Sequence, residues 1–309
     1  MQNAERVEGE DILPGMRART AFFAFALTTV TACTPAEPDT PRLIHERIAA
    51  SGAQVGLFYL NLSRPDTLRH DADVRMHAAS TMKVPVMIQV FRDADAGLLG
   101  LDDSIPVVNT FASLADGSPF SVTPDDDSDS TLYGRVGGQA TVRELVELMI
   151  TVSSNLATNI LMQRVGAERV TATTRALGAD SLEVLRGVED DKAYEAGLSN
   201  TTTARDLGVI AAAIAEGRAA SPAACREMEA VMGRQRFNDG IPAGLPPDAT
   251  VAHKTGEITR VHHDFGIVTA GDGTRYALAL MVRGLDSKDS SAALMADLSR
   301  LVYQRAAGR

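Results

Sequence analysis

The amino-acid sequence predicts an α/β + α protein: an antiparallel sheet flanked by helices, with an all-helical domain inserted into it. Two observations carry this. Strand-like patterning occurs early, in Gln54–Leu62, and returns only late, in Thr250–Lys254, Asp264–Ala270 and Tyr276–Val282. Between them, Thr81 to Glu216 reads as mostly helical. Strands split in this way imply a discontinuous α/β domain, residues 42–80 and 235–309, with residues 81–234 as the all-helical insertion. A cleft between two such bodies is a common place for an active site.

Taken in order, Arg42–Ala50 has helical periodicity and stops at Ser51-Gly52. The strand Gln54–Leu62 runs into the turn-rich NLSRPD. Thr141-Val142-Arg143-Glu144 is a capping box that opens an apolar-striped helix through Ile150. A helix over Asn155–Val165 ends at Gly166, a suitable C-terminal cap. Thr203-Ala204-Arg205-Asp206 opens another, closed by Gly217. Gly271-Asp272-Gly273 makes a tight hairpin between the last two strands, and Ser290–Arg305 finishes as an amphipathic helix. No internal repeat is visible.

The chain has 309 residues, 45% hydrophobic and 23% charged, enough for one large domain or two that share an interface. Trp is absent and aromatics are 5%, so the core must be aliphatic residues and Met. Thirty basic against forty acidic residues leave a net charge of −10, which argues against a nucleic-acid partner.

The first forty residues stand apart from the fold. From Met16 the chain has a basic stretch (MRART), ten apolar residues (AFFAFALTTV), then TAC and TPAEPDTP. Ten apolar residues reach about half of a bilayer core, which needs roughly 20 in a helix, so an export signal is expected rather than a span. Val30-Thr31-Ala32-Cys33 resembles a bacterial lipobox, whose cysteine becomes the lipidated first residue; the alternative is an ordinary signal with an incidental Cys. Residues 16–33 are thus read as a lipoprotein signal peptide and 34–41 as a tether. Residues 1–15 are read as a non-native or upstream extension, acidic where a signal should be basic. The expected location is the periplasm or cell envelope, with membrane association through Cys33. That leaves Cys225 as the one other thiol, with no intrachain disulfide, in a helical pattern that suits a small buried hydrophobe.

Three short motifs bear chemistry. In Ser80-Thr81-Met82-Lys83, positions three apart share a helix face, so the Lys83 ammonium can reach the Ser80 hydroxyl. A serine is a poor nucleophile until a neighbour accepts its proton, and burial lowers a lysine's pKa toward that task. Pro85 just beyond predicts a kink or irregular turn. In Ser153-Ser154-Asn155, a serine can relay a proton to a leaving nitrogen and an Asn amide can hold a substrate carbonyl; the competing reading is a helix cap. Asn159, one turn on, is expected to brace the opposite loop. In Lys254-Thr255-Gly256, lysine offers a charge for a carboxylate, threonine a hydroxyl, and glycine room for close approach.

In that order the three motifs resemble the S-x-x-K, S-x-N and K-T-G signature of penicillin-recognising serine enzymes. The spacing looks like class A β-lactamases from roughly Pro41 to the C-terminus. The resemblance implies a β-lactamase/transpeptidase-like fold, no cofactor and no metal, and a β-lactam or peptidoglycan-stem substrate; a monomer is expected. It implies acylation at Ser80, proton transfer by Lys83, proton return by Ser153, and carboxylate binding by Lys254 with Thr255. Backbone amides of Ser80 and Glu257 would form the oxyanion hole, such donors being worth about 3 kcal/mol each. Rival readings are a D,D-peptidase or penicillin-binding protein, an esterase, and a non-catalytic sensing lipoprotein. Retention of Ser80, Lys83, Ser153 and Lys254 counts against the last.

Two departures stand out. Ser154 replaces the aspartate of the usual S-D-N. The loop that in class A enzymes reads R-x-E-P-x-x-N is here Leu185-RGVEDDKAYEAGLSN-Thr201-Thr202-Thr203. Aligned on the threonines, Glu189 takes the place of the deacylating glutamate, with Glu195 as competitor and Ala193 where a companion Asn is expected. Slow turnover of the acyl-enzyme is therefore an expectation. Asp125, Asp127 and Asp129 alternate like a calcium loop but lack its glycine and distal glutamate, and read as a solvated acidic turn. His253, His262 and His263 with Asp264 read as structural rather than as a zinc site, and Arg260 either assists carboxylate binding or lies at the surface.

Overall fold

The computed structural model describes residues 39–308. The upstream extension, the signal peptide, Cys33 and most of the tether lie outside the described residues.

Helix α1 (Thr40–Ser51) starts where the Asp39 carboxylate accepts from the Arg42 amide, and stops at Gly52 in the left-handed conformation. Strand β1 (Gln54–Asn61) follows, then β2 (Thr67–His70), which four residues with one buried position give no periodicity to reveal. After β3 (Met76–His77), one 3-10 turn, Ala79–Met82, leads into α2 (Lys83–Asp95). The irregularity expected near Pro85 lies in that turn. Pro85 itself sits in the first turn of α2, where no intrahelical N–H is lost, and the helix runs on unbroken.

The expected helical stretch is interrupted between Ala96 and Thr141. Here β4 (Ser104–Pro106), β5 (Phe111–Ala112), β6 (Pro119–Phe120) and β7 (Gln139–Thr141) form two small ladders, β4 with β7 and β5 with β6. Pro106, Pro119, Pro124 and the glycines at 117, 134, 137 and 138 break helical periodicity there. Helix α3 (Val142–Thr151) opens on the Thr141–Glu144 capping box, and α4 (Asn155–Val165) ends at Gly166. Then come α5 (Ala167–Ala176), the short α6 (Asp191–Glu195) and β8 (Thr201–Thr202), which pairs with β3. Helix α7 (Ala204–Ala215) is capped by Thr203, and α8 (Pro222–Met232) by Ser221. The late strands β9 (Thr250–Ile258), β10 (Val261–Thr269) and β11 (Arg275–Arg283) precede α9 (Lys288–Ala306).

The main sheet has the order β2-β1-β11-β10-β9, every neighbour antiparallel. Side chains alternate across it. Leu57, Tyr59, Leu278 and Leu280 face one way, onto Ile44 of α1 and Leu294, Leu298 and Val302 of α9. Phe58, Phe265, Ala279 and Met281 face the other way, in a cluster with Met87 of α2, Leu207 of α7 and Met228 of α8 that continues to Leu145 and Leu161. Gly208 lets α7 lie against the Phe58 ring, which a Cβ would strike. Every methionine among the described residues is buried, as a core without Trp demands.

Candidate active site

Ser80 lies on the 3-10 turn that joins β3 to α2. Ala79 before it holds a left-handed φ of 46°, with its amide donating to His77 Nδ1 at 3.0 Å. Strand β9 passes directly behind this turn. A Cβ on Gly256 would stand 3.1 Å from the Ser80 nitrogen and 3.0 Å from that of Thr81, so only glycine permits the approach.

Lys83 is the first residue of α2 and has no exposed surface. Its Nζ donates to Ser153 O at 2.7 Å, Ser153 Oγ at 3.2 Å and Asn155 Oδ1 at 2.7 Å. Three donors meet three acceptors, and among the described residues no hydrogen bond joins Lys83 to Ser80. Burial lowers the Lys83 pKa to about 7, against the pull of Asp127 and Glu189. Lys254, equally buried, donates to the same Ser153 Oγ at 3.0 Å and to Thr255 O at 2.8 Å. Burial first, and then the Lys83 charge, hold Lys254 well below the ordinary lysine range.

Ser153 and Ser154 divide the two roles that the sequence leaves open. Ser154 caps α4, its Oγ accepting from Ala157 N, while Ser153, at φ 61°, turns its hydroxyl to the two lysines. Asp127 accepts from the amides of Asn155 and Leu156, from Tyr133 Oη and from Ser154 Oγ. Of the acidic run expected to be solvated, Asp125 is exposed, whereas Asp127 anchors the α4 N-terminus and Asp129 is buried.

Glu189, at φ 60°, turns toward this group, with Asn155 Nδ2 donating to its Oε1 at 3.3 Å. Burial raises its pKa, helped by Asp191 and Asp126 and opposed by Arg186 and Lys83. Among the described residues, Ala79, Ser153, Glu189 and Arg260 are four of the five non-glycine residues with positive φ. Each costs on the order of 1–3 kcal/mol, and their gathering here marks a functional site.

A pocket of ≈ 780 Å³ is lined by Ser80, Ser153, Asn155, Glu189, Thr255, Glu257 and Arg260, with Lys83 and Lys254 bonded beneath through Ser153. Asn159 braces the Glu189 loop as expected, exchanging bonds with Val188 N and O. Glu195 is exposed and does not line the pocket. Ala193 is fully buried, its amide donating to Asp190. Arg260 stands on the rim, bound to Gly284 O at 2.8 Å and Asp286 at 3.0 Å. The Glu257 side chain pairs with Lys288 at 2.7 Å.

The histidines part company: His253 pairs with Asp264 at 2.8 Å, His263 faces His77 O at 3.0 Å, and His262 lines the pocket. Among the described residues no three His, Cys, Asp or Glu gather as a metal site. Cys225 is buried and free. Sequence reasoning missed Asp127 as an anchor, and Arg186, Tyr194 and Lys288 as pocket residues. The acidic run around Asp127 is itself the signal, since a carboxylate can hold the free amides of a helix N-terminus. The others offer no such signal.

Comparison with known proteins identifies the family and the fold. The beta-lactamase enzyme family matches residues 41–306. The beta-lactamase AST-1 of Nocardia asteroides is 30% identical over 76% of this chain and 77% of its own. Among solved structures, the beta-lactamase of Sphaerobacter thermophilus is 28% identical, with a TM-score of 0.73 over 86% of this chain and 97% of that one. A mutant of PBP-A, solved as an acyl-enzyme complex with penicillin-G, is 30% identical with a TM-score of 0.74, over 87% and 97%. With the match running from α1 to the end of α9, this chain belongs to the beta-lactamase enzyme family.

Proposed function

We propose that the protein opens the β-lactam ring through an acyl-enzyme on Ser80. The observation that carries this is Ser153 Oγ, held between Lys83 at 3.2 Å and Lys254 at 3.0 Å in the pocket that Ser80 lines. Near neutral pH the Lys83 amine can lose a proton, and its lone pair then accepts that of Ser80. Ser80 Oγ bonds to the ring carbonyl carbon, and the Ser80 and Glu257 amides receive the oxyanion. The ring C–N bond breaks as the proton passes through Ser153 to the nitrogen. Glu189 then takes a proton from water, whose oxygen displaces Ser80 and releases the ring-opened acid. Asn155 holds a substrate carbonyl. Lys254 and Thr255 take the carboxylate, Gly256 lets β9 approach the Ser80 turn, and Arg260 assists from the rim.

A second reading, a penicillin-binding peptidase, draws on the likeness to PBP-A, the S-x-N form and Ala193 in the companion position. Export on residues 16–33 with a lipid on Cys33 would place either activity in the cell envelope, and the substrate is a small molecule in both. The test is intact-protein mass spectrometry after brief exposure to a penicillin, with product release followed in parallel. Rapid release with a transient adduct, abolished in Ser80→Ala, supports the hydrolase. A long-lived adduct on the unmutated protein supports the peptidase reading, and the absence of adduct and of product release together overturns both readings.

A further inference from the structure

Apart from a single bridge between Glu183 and Thr201, the loop carrying Glu189 has no ladder to hold it, yet Glu189 keeps its left-handed backbone. Two clamps on its neighbours do the holding. On one side Asn159 accepts from Val188 N at 2.7 Å and donates to Val188 O at 2.9 Å. On the other, Asp190, 1% exposed, accepts from Ser113 Oγ at 2.6 Å, Leu114 N at 2.8 Å and Ala193 N at 3.2 Å. Ser113 and Leu114 belong to the β5–β6 hairpin, for which the reaction above has no use.

The same hairpin grips the loop twice more. Lys192 donates to Asp116 at 3.0 Å and to Ser118 Oγ at 2.6 Å. Phe120 lies so close to Gly187 that a Cβ there would meet its ring at 3.2 Å. A buried carboxylate is costly unless its lone pairs are satisfied, and two-residue strands are marginal alone. Hairpin and loop each supply what the other lacks.

We infer that the Phe111–Phe120 hairpin is a brace for the Glu189 loop, and that Asp190, acting through Ser113 and Leu114, is a positioning residue that aims the Glu189 carboxylate. With Val188 and Asp190 both fixed, the Glu189 backbone can turn over only if one clamp lets go. Neither Asp190 nor Ser113 lines the pocket, and among the described residues no hydrogen bond joins either to the Ser80 turn or β9. The brace therefore acts on hydrolysis of the acyl-enzyme and leaves its formation alone. This rests on the reading of Glu189 as the base of that step.

The experiment uses the full chain as Asp190→Asn, Ser113→Ala and Ser113→Thr. Adduct growth and decay with a penicillin are followed by mass, and amide hydrogen exchange is measured over residues 186–198. Asp190→Asn is expected to slow decay by about 10- to 100-fold, as misplacement of a reacting group does, with growth within about twofold. Ser113→Ala is expected to slow decay by roughly three- to tenfold, and Ser113→Thr, which keeps the hydroxyl, to restore it. Exchange over the loop should quicken in the first two variants and not in the third. Unchanged decay, growth and decay falling together, or unchanged exchange would each overturn the brace. Should Asp190→Asn not fold, Ser113→Ala decides. If the unmutated protein yields neither adduct nor ring-opened product, the β-lactam reading fails separately, and the exchange arm alone judges the brace.

Discussion

The two walls of the pocket are built by different means. One is β9, paired with β10 residue for residue from Thr250 to Ile258 and backed by the Ser80 turn at Gly256. The other is the stretch from Leu185 to Asn200, which is held by side chains: Asn159 on Val188, Asp190 on the β5–β6 hairpin, and Asn200, whose Oδ1 accepts from Leu185 N and Arg186 N. A ladder spreads its load over many backbone bonds, so single substitutions rarely move it. A loop held by four or five side chains moves when any one of them changes. The groups assigned to acylation sit on the ladder and on helix ends, whereas the group assigned to deacylation sits on the loop. Substitution can therefore tune the second step without disturbing the first.

That contrast can be broken in several places. The largest effect is expected of Glu189→Gln. If the two walls act separately, adduct formation continues while its decay slows by about 10² to 10⁴, the usual cost of a lost general base. Equal loss of both steps in stopped-flow and mass measurements would show the walls to be one unit. Next is the pH profile of adduct formation. A base with a pKa lowered to about 7 is neutral above that value and protonated below it. The rate should therefore fall about tenfold per unit below the inflection, roughly fiftyfold from pH 7 to pH 5, and level off above. A flat profile would remove Lys83 as the base.

A smaller effect, on stability, is expected of Asp127→Ala. It leaves the Asn155 and Leu156 amides without their acceptor and should cost about 2 kcal/mol, or a few degrees in Tm by calorimetry. An unchanged Tm would mean that water replaces the carboxylate freely. The smallest is Glu195→Gln, expected to leave both rates within about twofold, since this side chain is exposed and away from the pocket. A stalled adduct in that variant would exchange the roles of the two glutamates.

The same contrast governs what the amino-acid sequence makes legible. Thr141–Glu144, Gly166, Thr203 and the three late strands announce themselves because caps and alternation are local rules that these elements obey. Ser80, Lys83 and Lys254 are legible for the same reason: short motifs on regular elements keep their spacing. Between Ala96 and Thr141 no period exists to be read, and the value of Asp127 or Ser113 depends on partners 28 and 77 positions away. The division of labour at Ser153 and Ser154 is likewise invisible in one dimension, since both are serines and only the φ of 61° at Ser153 separates them.

The meeting of Lys83 and Lys254 at one serine oxygen reaches beyond catalysis. Among the described residues no acid is bonded to either, and both are cut off from solvent. Burial holds both amines below their ordinary range, and an anion in the pocket favours their charged forms. An anion that binds the folded pocket, reactive or inert, stabilises the fold by an amount that grows with its concentration relative to its Kd. The protein's endurance in heat is then set partly by its surroundings, and a competitive inhibitor doubles as a preservative.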